Sequence, residues 1–429
     1  MRSSKSGDLR PAHSSRPLSH DRSRSGKRVT RLLALVAAGL GALLLVFLVL
    51  RYSVVDALFA ASPQAAALLA PDDPRLVLDR AEDEIRSGGQ VSAATRAAVE
   101  DAFKHAPLSD EPLLIAAQQA LARGEEQRAD RLVAMAHRRD PRSRYTLALM
   151  LEQHLRNARI PETAATMAVL TRLESGAAPM MVAVLARMAM DPRTIGSVRE
   201  AMESDEKLRT NVLEELARQG ADPDKILDLA SAGPEQGPQK QAPSWQRLLL
   251  EDLVKRGEIA EAHRIWRRLS GAGAAQVPAA VYDPDFAGLP GAPPFNWHFE
   301  SGSDGFAEIT RGSPGLYAEY HSRSPMQLGG QLLLLPPGRY SLSFTAEGTS
   351  EGEEGHLAWT LSCHPGERQI GEVPITGVGY SAKSISGEFS VPAAGCPAQW
   401  LRLTGKAAEF PKQEQVTIRS LRISRVDRQ

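Results

Sequence analysis

Trp400 and Arg402 are the residues of this sequence whose types and spacing most invite a binding role. Leu401 and Leu403 take the apolar positions of that stretch, so strand alternation puts the indole and the guanidinium together on the opposite face. An exposed indole beside an arginine stacks on the apolar face of a sugar or anchors a protein contact. Packing under a loop or against a second sheet is the competing reading. Asn296, Trp297 and His298 form a second, weaker grouping, in which core is the stronger reading of Trp297. Trp400, Arg402 and Trp297 are the candidate ligand-binding residues.

Cys363 and Cys396 are the only two cysteines. In an oxidising compartment they would form a disulfide, and closing a loop of that size adds roughly 3–4 kcal/mol. Two separate buried thiols are the other reading. No further ligands cluster with them at zinc spacing, so no metal is expected. Glu351, Glu353 and Glu354 bring carboxylates together as calcium sites do, but a solvated hairpin loop explains them with less. Gly377, Gly379 and Ala382 match the dinucleotide fingerprint in form. β-like segments flank them and no helix follows, so they read as a turn. There is no zinc-protease helix motif, nucleophile elbow or phosphate loop. His105, His137, His154 and His263 are scattered over helices at surface-like positions and read as satisfied or solvated rather than as ligands. No catalytic residue and no cofactor are expected; the chain reads as a non-enzyme.

The elements that must position these residues fall into two statistical regimes. Residues 54–270 read as helix after helix, rich in Ala, Leu, Met, Glu and Arg and punctuated by Pro and Gly. Leu113, Leu114, Ala117, Ala120 and Leu121 form one apolar stripe, and Ala129, Leu132, Val133 and Ala136 the next. Met180, Met181, Met188 and Met190 read as core of this region. Residues 271–294, rich in Gly, Ala and Pro, read as a linker. From Phe295 to the end, apolar residues alternate: Leu316, Ala318 and Tyr320; Tyr340, Leu342, Phe344 and Ala346; Leu357, Trp359 and Leu361; Val416 and Ile418. Turn clusters separate these runs, so residues 295–429 are expected to form an antiparallel β-sandwich.

Residues 32–50 form an uncharged apolar run of 19 residues between Arg31 and Arg51. That length suits a transmembrane helix. Residues 1–31 hold nine Lys/Arg against Asp8 and Asp21, a basic tail without apolar periodicity that reads as disordered and cytoplasmic. The chain has no net charge, so the remainder is mildly acidic, which argues against nucleic acid as a partner.

Two resemblances sharpen the reading. Gly124, Ala129, Ala136 and Pro141 keep the offsets of the tetratricopeptide repeat, and Pro107 and Pro141 stand 34 residues apart. Ala117 falls where that repeat wants a small residue, and a second match follows Gly257 with Ala262, Trp266 and Leu269. Leu113, Ala120 and Val133 depart from it, standing where the repeat carries aromatics. The run 335–344, with Pro336, Pro337, Gly338 and Tyr340 leading into an alternating strand, resembles jelly-roll modules of the galactose-binding or carbohydrate-binding type. The whole is similar to bacterial membrane-anchored tetratricopeptide-like repeat proteins with a C-terminal jelly roll. That resemblance implies an α + β multidomain chain with a transmembrane helix, an α-solenoid of degenerate repeats and a β-sandwich. It further implies a single-pass inner-membrane protein with a periplasmic bulk, serving as a scaffold in envelope or exopolysaccharide assembly and export. An envelope protein would be held by the helices and a glycan by the sandwich; direct polysaccharide binding is the alternative function.

Overall fold

The computed structural model describes residues 109–231, 242–271, 280–310, 312–350 and 356–426 throughout, with part of 42–105. The basic tail lies outside the described residues. So does most of the 32–50 run, of which 42–47, 49 and 50 are described as helix with exposed side chains. No helix among the described residues is long and apolar enough to cross a membrane. This overturns the expected transmembrane helix, and with it the single-pass inner-membrane placement. A span takes about 20 continuous apolar residues, and no helix among the described residues offers that.

Twelve helices are described: α1 Pro63–Leu69, α2 Ala93–His105, α3 Glu111–Ala122, α4 Glu126–Arg139, α5 Arg144–Arg156 and α6 Ile160–Leu173. They continue as α7 Ala178–Met190, α8 Ile195–Glu203, α9 Glu206–Arg218, α10 Pro223–Ala230, α11 Ser244–Lys255 and α12 Ile259–Ser270. Met1–Thr146 forms one compact unit and Leu147–Gln429 another. In the first, α3 packs on α2 and α4. Ala117, Ala129 and Ala136 are wholly buried there, because methyl-sized side chains let paired helices approach. Gly124 turns the chain between α3 and α4 at φ +73°, a left-handed conformation that costs glycine least. Pro141 is exposed. Asp110, buried, accepts a 2.8 Å hydrogen bond from the Thr146 hydroxyl.

In the second unit α7 touches α6, α8 and α9, and α9 also touches α11, so helices stack on the next and the next but one. Local chemistry sets their ends. Asp205 caps α9 by accepting from the Leu208 amide at 2.9 Å, and Asp222 with Pro223 opens α10. Met180, expected in the core, is 68% exposed, whereas Met188 and Met190 do pack against it.

The C-terminal half is a two-sheet antiparallel β-sandwich. Its strands are β1 His298–Phe299, β2 Ser301–Gly302, β3 Gly305–Ile309, β4 Leu316–Tyr320, β5 Met326–Leu333 and β6 Gly338–Thr349. Next come β7 Leu357–His364, β8 Gln369–Ile375, β9 Lys383–Val391, β10 Ala398–Gly405 and β11 Glu414–Arg425. One sheet runs β1-β5-β10-β7-β8 and the other β2-β3-β4-β11-β6-β9. The alternating residues meet between them: Leu316, Tyr320, Leu342, Phe344, Trp359, Leu361, Leu401, Leu403, Val416 and Ile418 form one cluster. Cys363 and Cys396 are bonded, S–S 2.10 Å, tying β7 to the loop that leads into its neighbour β10. The Glu351 to Glu354 loop lies outside the described residues. Gly377 to Ala382 is turn-like and leads into β9, not a helix.

The expected linker needs correction from residue 280 onward. Val281 and Phe286 belong to the sandwich core, while Tyr282 and Ala292 belong to the helical core. Asp283 holds this loop by accepting from the amides of Ala287 and Gly288, each at 2.8 Å. Its anchors are irregularly spaced among Gly and Pro, and so carry no period to read.

Candidate functional site

Trp400 does share the outward side of β10 with Arg402, whose guanidinium carbon lies 5.0 Å from the centre of its ring. The indole is not open to a ligand on its other flank. It packs against the helical core beside Leu332 and Ala398. The neighbouring His364 lies 3.4 Å from the Val254 carbonyl of α11. Arg402 donates to the Ser362 hydroxyl at 3.3 Å and pairs with Glu367 at 3.0 Å. Helices therefore cover this part of the five-stranded sheet.

Trp297 is buried, 7% exposed, with Phe286, Phe299 and Trp359 around it. Its indole nitrogen donates to the Asp283 carbonyl at 3.0 Å. With Asn296 and His298 it lines a cleft of about 750 Å³. The polar group nearest to hand is already committed, since the Asn296 amide donates to the Leu289 and Gly291 carbonyls at 2.9 and 3.0 Å. The His263 ring, expected at a surface-like position, is wedged between Trp266 and Phe295, and His154 is buried.

The other sheet turns a different surface outward. Register places Phe306 opposite Glu319 and Glu308 opposite Tyr317 on β3 and β4. It places Gln415 opposite Glu319 and Thr417 opposite Tyr317 on β11. The inward residues between them, Ala307, Ala318 and Val416, are buried, so these six point away from the core. The Phe306 and Tyr317 rings lie 5.8 Å apart, inclined at 52°. Glu319 is the polar hub beside them. It accepts from the Tyr317 hydroxyl at 3.0 Å, from Gln413 at 2.8 Å and from Gln415 at 3.3 Å. His321 stands 3.6 Å from the same carboxylate. Burial, then the bond to Glu319, pushes the Tyr317 hydroxyl up to about 12, so it stays a neutral donor at any physiological pH. The loop that carries Gln413 also presents Phe410, 75% exposed, and is tied down where Ala408 donates to the Ser322 carbonyl at 3.0 Å.

Two inclined rings with a carboxylate and two amides at their edge can stack on the C–H face of a pyranose while exchanging hydrogen bonds with its hydroxyls. Among the described residues no cluster of His, Cys, Asp or Glu could hold a metal ion. Sequence reasoning missed this face. The signal was present, because the alternation that sends Leu316, Ala318 and Tyr320 inward sends Tyr317 and Glu319 outward.

No family model and no curated protein matches the chain. Among solved structures, similar ones include the bacteriophage CBA120 tailspike protein 4 enzymatically active domain, at 14% identity and TM-score 0.23 over 30% of this chain and 19% of that one. A structure described as "CBM4 structure and function" has 12% identity and TM-score 0.24, covering 31% of this chain and 88% of that one. TmCBM61 in complex with β-1,4-galactotriose has 15% identity and TM-score 0.24, covering 34% and 99%. At TM-scores this far below 0.5 none of them carries fold or ligand over to this chain, whose sandwich stands on its own strand order.

Proposed function

We propose that this chain is a non-enzymatic glycan-binding protein that takes its ligand on the outer face of the six-stranded sheet. One observation carries the reading: the Phe306–Tyr317 ring pair beside the Glu319 hub, on the sheet opposite to the one the helices cover. Aromatic side chains at that position add nothing to the core, and polar side chains around them are held in place by one another. The stacked helices read as a degenerate tetratricopeptide-like solenoid attached to this module. A role for them in holding a protein partner is favoured by Met180 and Val184, 68% and 38% exposed one turn apart on α7.

Titration calorimetry of the full chain with cello-, galacto- and glucosamine-oligosaccharides tests the proposal. Tyr317→Ala should weaken binding of the preferred oligosaccharide at least tenfold, as loss of an aromatic anchor does. Its thermal unfolding should stay near that of the parent, because Tyr317 points away from the core. Retained affinity in Tyr317→Ala, or silence from all three oligosaccharides, would overturn the reading.

A further inference from the structure

We infer that the sugar bound on this face carries a protonated amine. The inference rests on the glycan-binding reading and adds a charge requirement to it. Cross-strand register sets eight outward positions side by side on β3, β4, β11 and β6: Phe306 and Glu308, Glu319 and Tyr317, Gln415 and Thr417, Thr349 and Glu347. Three of the eight are glutamates and none is Lys or Arg. Arg419 stands one position beyond on β11, and it is spent on Glu347 in an ion pair at 2.5 Å. On the β4 side Gly315 offers no side chain beside it, and a Cβ there would come within 3.3 Å of Arg419.

The partners of Glu319 are a phenol, two amides and an imidazole, so no ammonium or guanidinium among the described residues pairs with it. Glu308 is exposed in the cross-strand position beside Tyr317. The rings add a field of the same sign, because an aromatic face is the negative part of its quadrupole. A cation over Phe306 and Tyr317 is thus attracted by both rings and by the two glutamates flanking them. A uronate would be repelled by the same groups, and a neutral hexose would leave the charge unused. The chemical class that fits is a deacetylated amino-sugar chain.

Calorimetry of the full chain with four hexamers separates the possibilities: glucosamine, N-acetylglucosamine, glucose (β-1,4) and galacturonate. The glucosamine hexamer should bind at least tenfold more tightly than its N-acetylated and neutral counterparts, and galacturonate most weakly. That advantage should shrink as salt rises from 10 mM to 500 mM, since exposed charges are screened. Glu308→Gln, an exposed change that leaves the fold alone, should narrow the preference for glucosamine while sparing the neutral hexamer; Glu319→Gln should narrow it too. Equal or tighter binding of the glucose or galacturonate hexamer would overturn the charge requirement and leave the platform standing. Binding of none of the four would overturn the charge requirement, and silence of the galacto-oligosaccharide as well would overturn the platform.

Discussion

Gly405 and Tyr320 show how closely single residues are fitted. Tyr320 is fully buried and donates its hydroxyl to the Ser324 carbonyl at 2.7 Å. A Cβ built on Gly405 would lie 2.4 Å from that ring. Neither residue can yield: the ring is held at both ends, and the glycine, the last residue of β10, is paired with Met326 of β5 and Leu357 of β7. Gly405→Ala should therefore cost about 1–3 kcal/mol, the usual range for overpacking, read as a lower urea midpoint. Glu372 makes a second case, at the surface. The Lys406 ammonium bonded to it, helped by Gln369, holds its carboxyl below the usual value of 4.5. A carboxyl depressed in the folded state contributes stability above its unfolded value and loses it as pH falls through the folded one. Melting temperatures taken from pH 6 down to 3 should thus fall more steeply in the parent than in Glu372→Gln, by a small margin because the pair is partly solvated. Equal slopes would show that the contact adds nothing.

At the scale of strands and helices, what was legible followed period. Leu401 and Leu403 alternate with Trp400 and Arg402, and the strand is built that way. Period gives the side a residue faces but not what lies over that side. Trp400 is packed by Val254's neighbourhood and by Leu332, which are about 146 and 68 positions away in sequence. That separation is why an expected ligand surface turned out to be packing, and Trp400→Ala is now expected to lower stability by about 1–3 kcal/mol, less than a wholly buried indole would. The segment 280–294 was illegible for the opposite reason, since Tyr282 and Phe286 anchor two different cores without any repeat between them. Cysteine arithmetic, by contrast, needs no period. Cys363 and Cys396 are 33 residues apart and bonded. Reduction, or Cys363→Ser with Cys396→Ser, should destabilise the sandwich by about 3 kcal/mol through the freer unfolded chain. Urea unfolding with and without reductant measures it, and coincident curves would deny the bond a stabilising role.

At the scale of the second unit, helices and sandwich share one packed junction rather than meeting through a tether. Trp266 of α12 stands edge-on to Tyr282 at 4.8 Å and beside Phe295 at 5.8 Å, with Leu332 and Ala398 of the five-stranded sheet in the same cluster. His263 is a titratable group in this junction, stacked on Trp266 at 5.5 Å and against the edge of Phe295 at 5.2 Å. Burial, and then the nearby Arg267 charge, lower its affinity for a proton below the ordinary value of 6.5. Arg422 and Arg425 line the cleft that His263 borders. The folded state therefore favours neutral imidazole, while the unfolded chain takes up a proton as pH falls through 6.5. Stability is full above that value, declines as pH falls toward the lower folded value, and levels off beneath it. Calorimetric melting of the full chain between pH 7.5 and 5.0 should show this decline, and His263→Gln, which cannot titrate, should be flatter over the same interval. Because the junction joins the two parts, the loss should appear in a single transition that helical and strand signals report together. A helical transition that moves with pH while the strand signal stays fixed would mean that α12 and the sandwich do not share their stability.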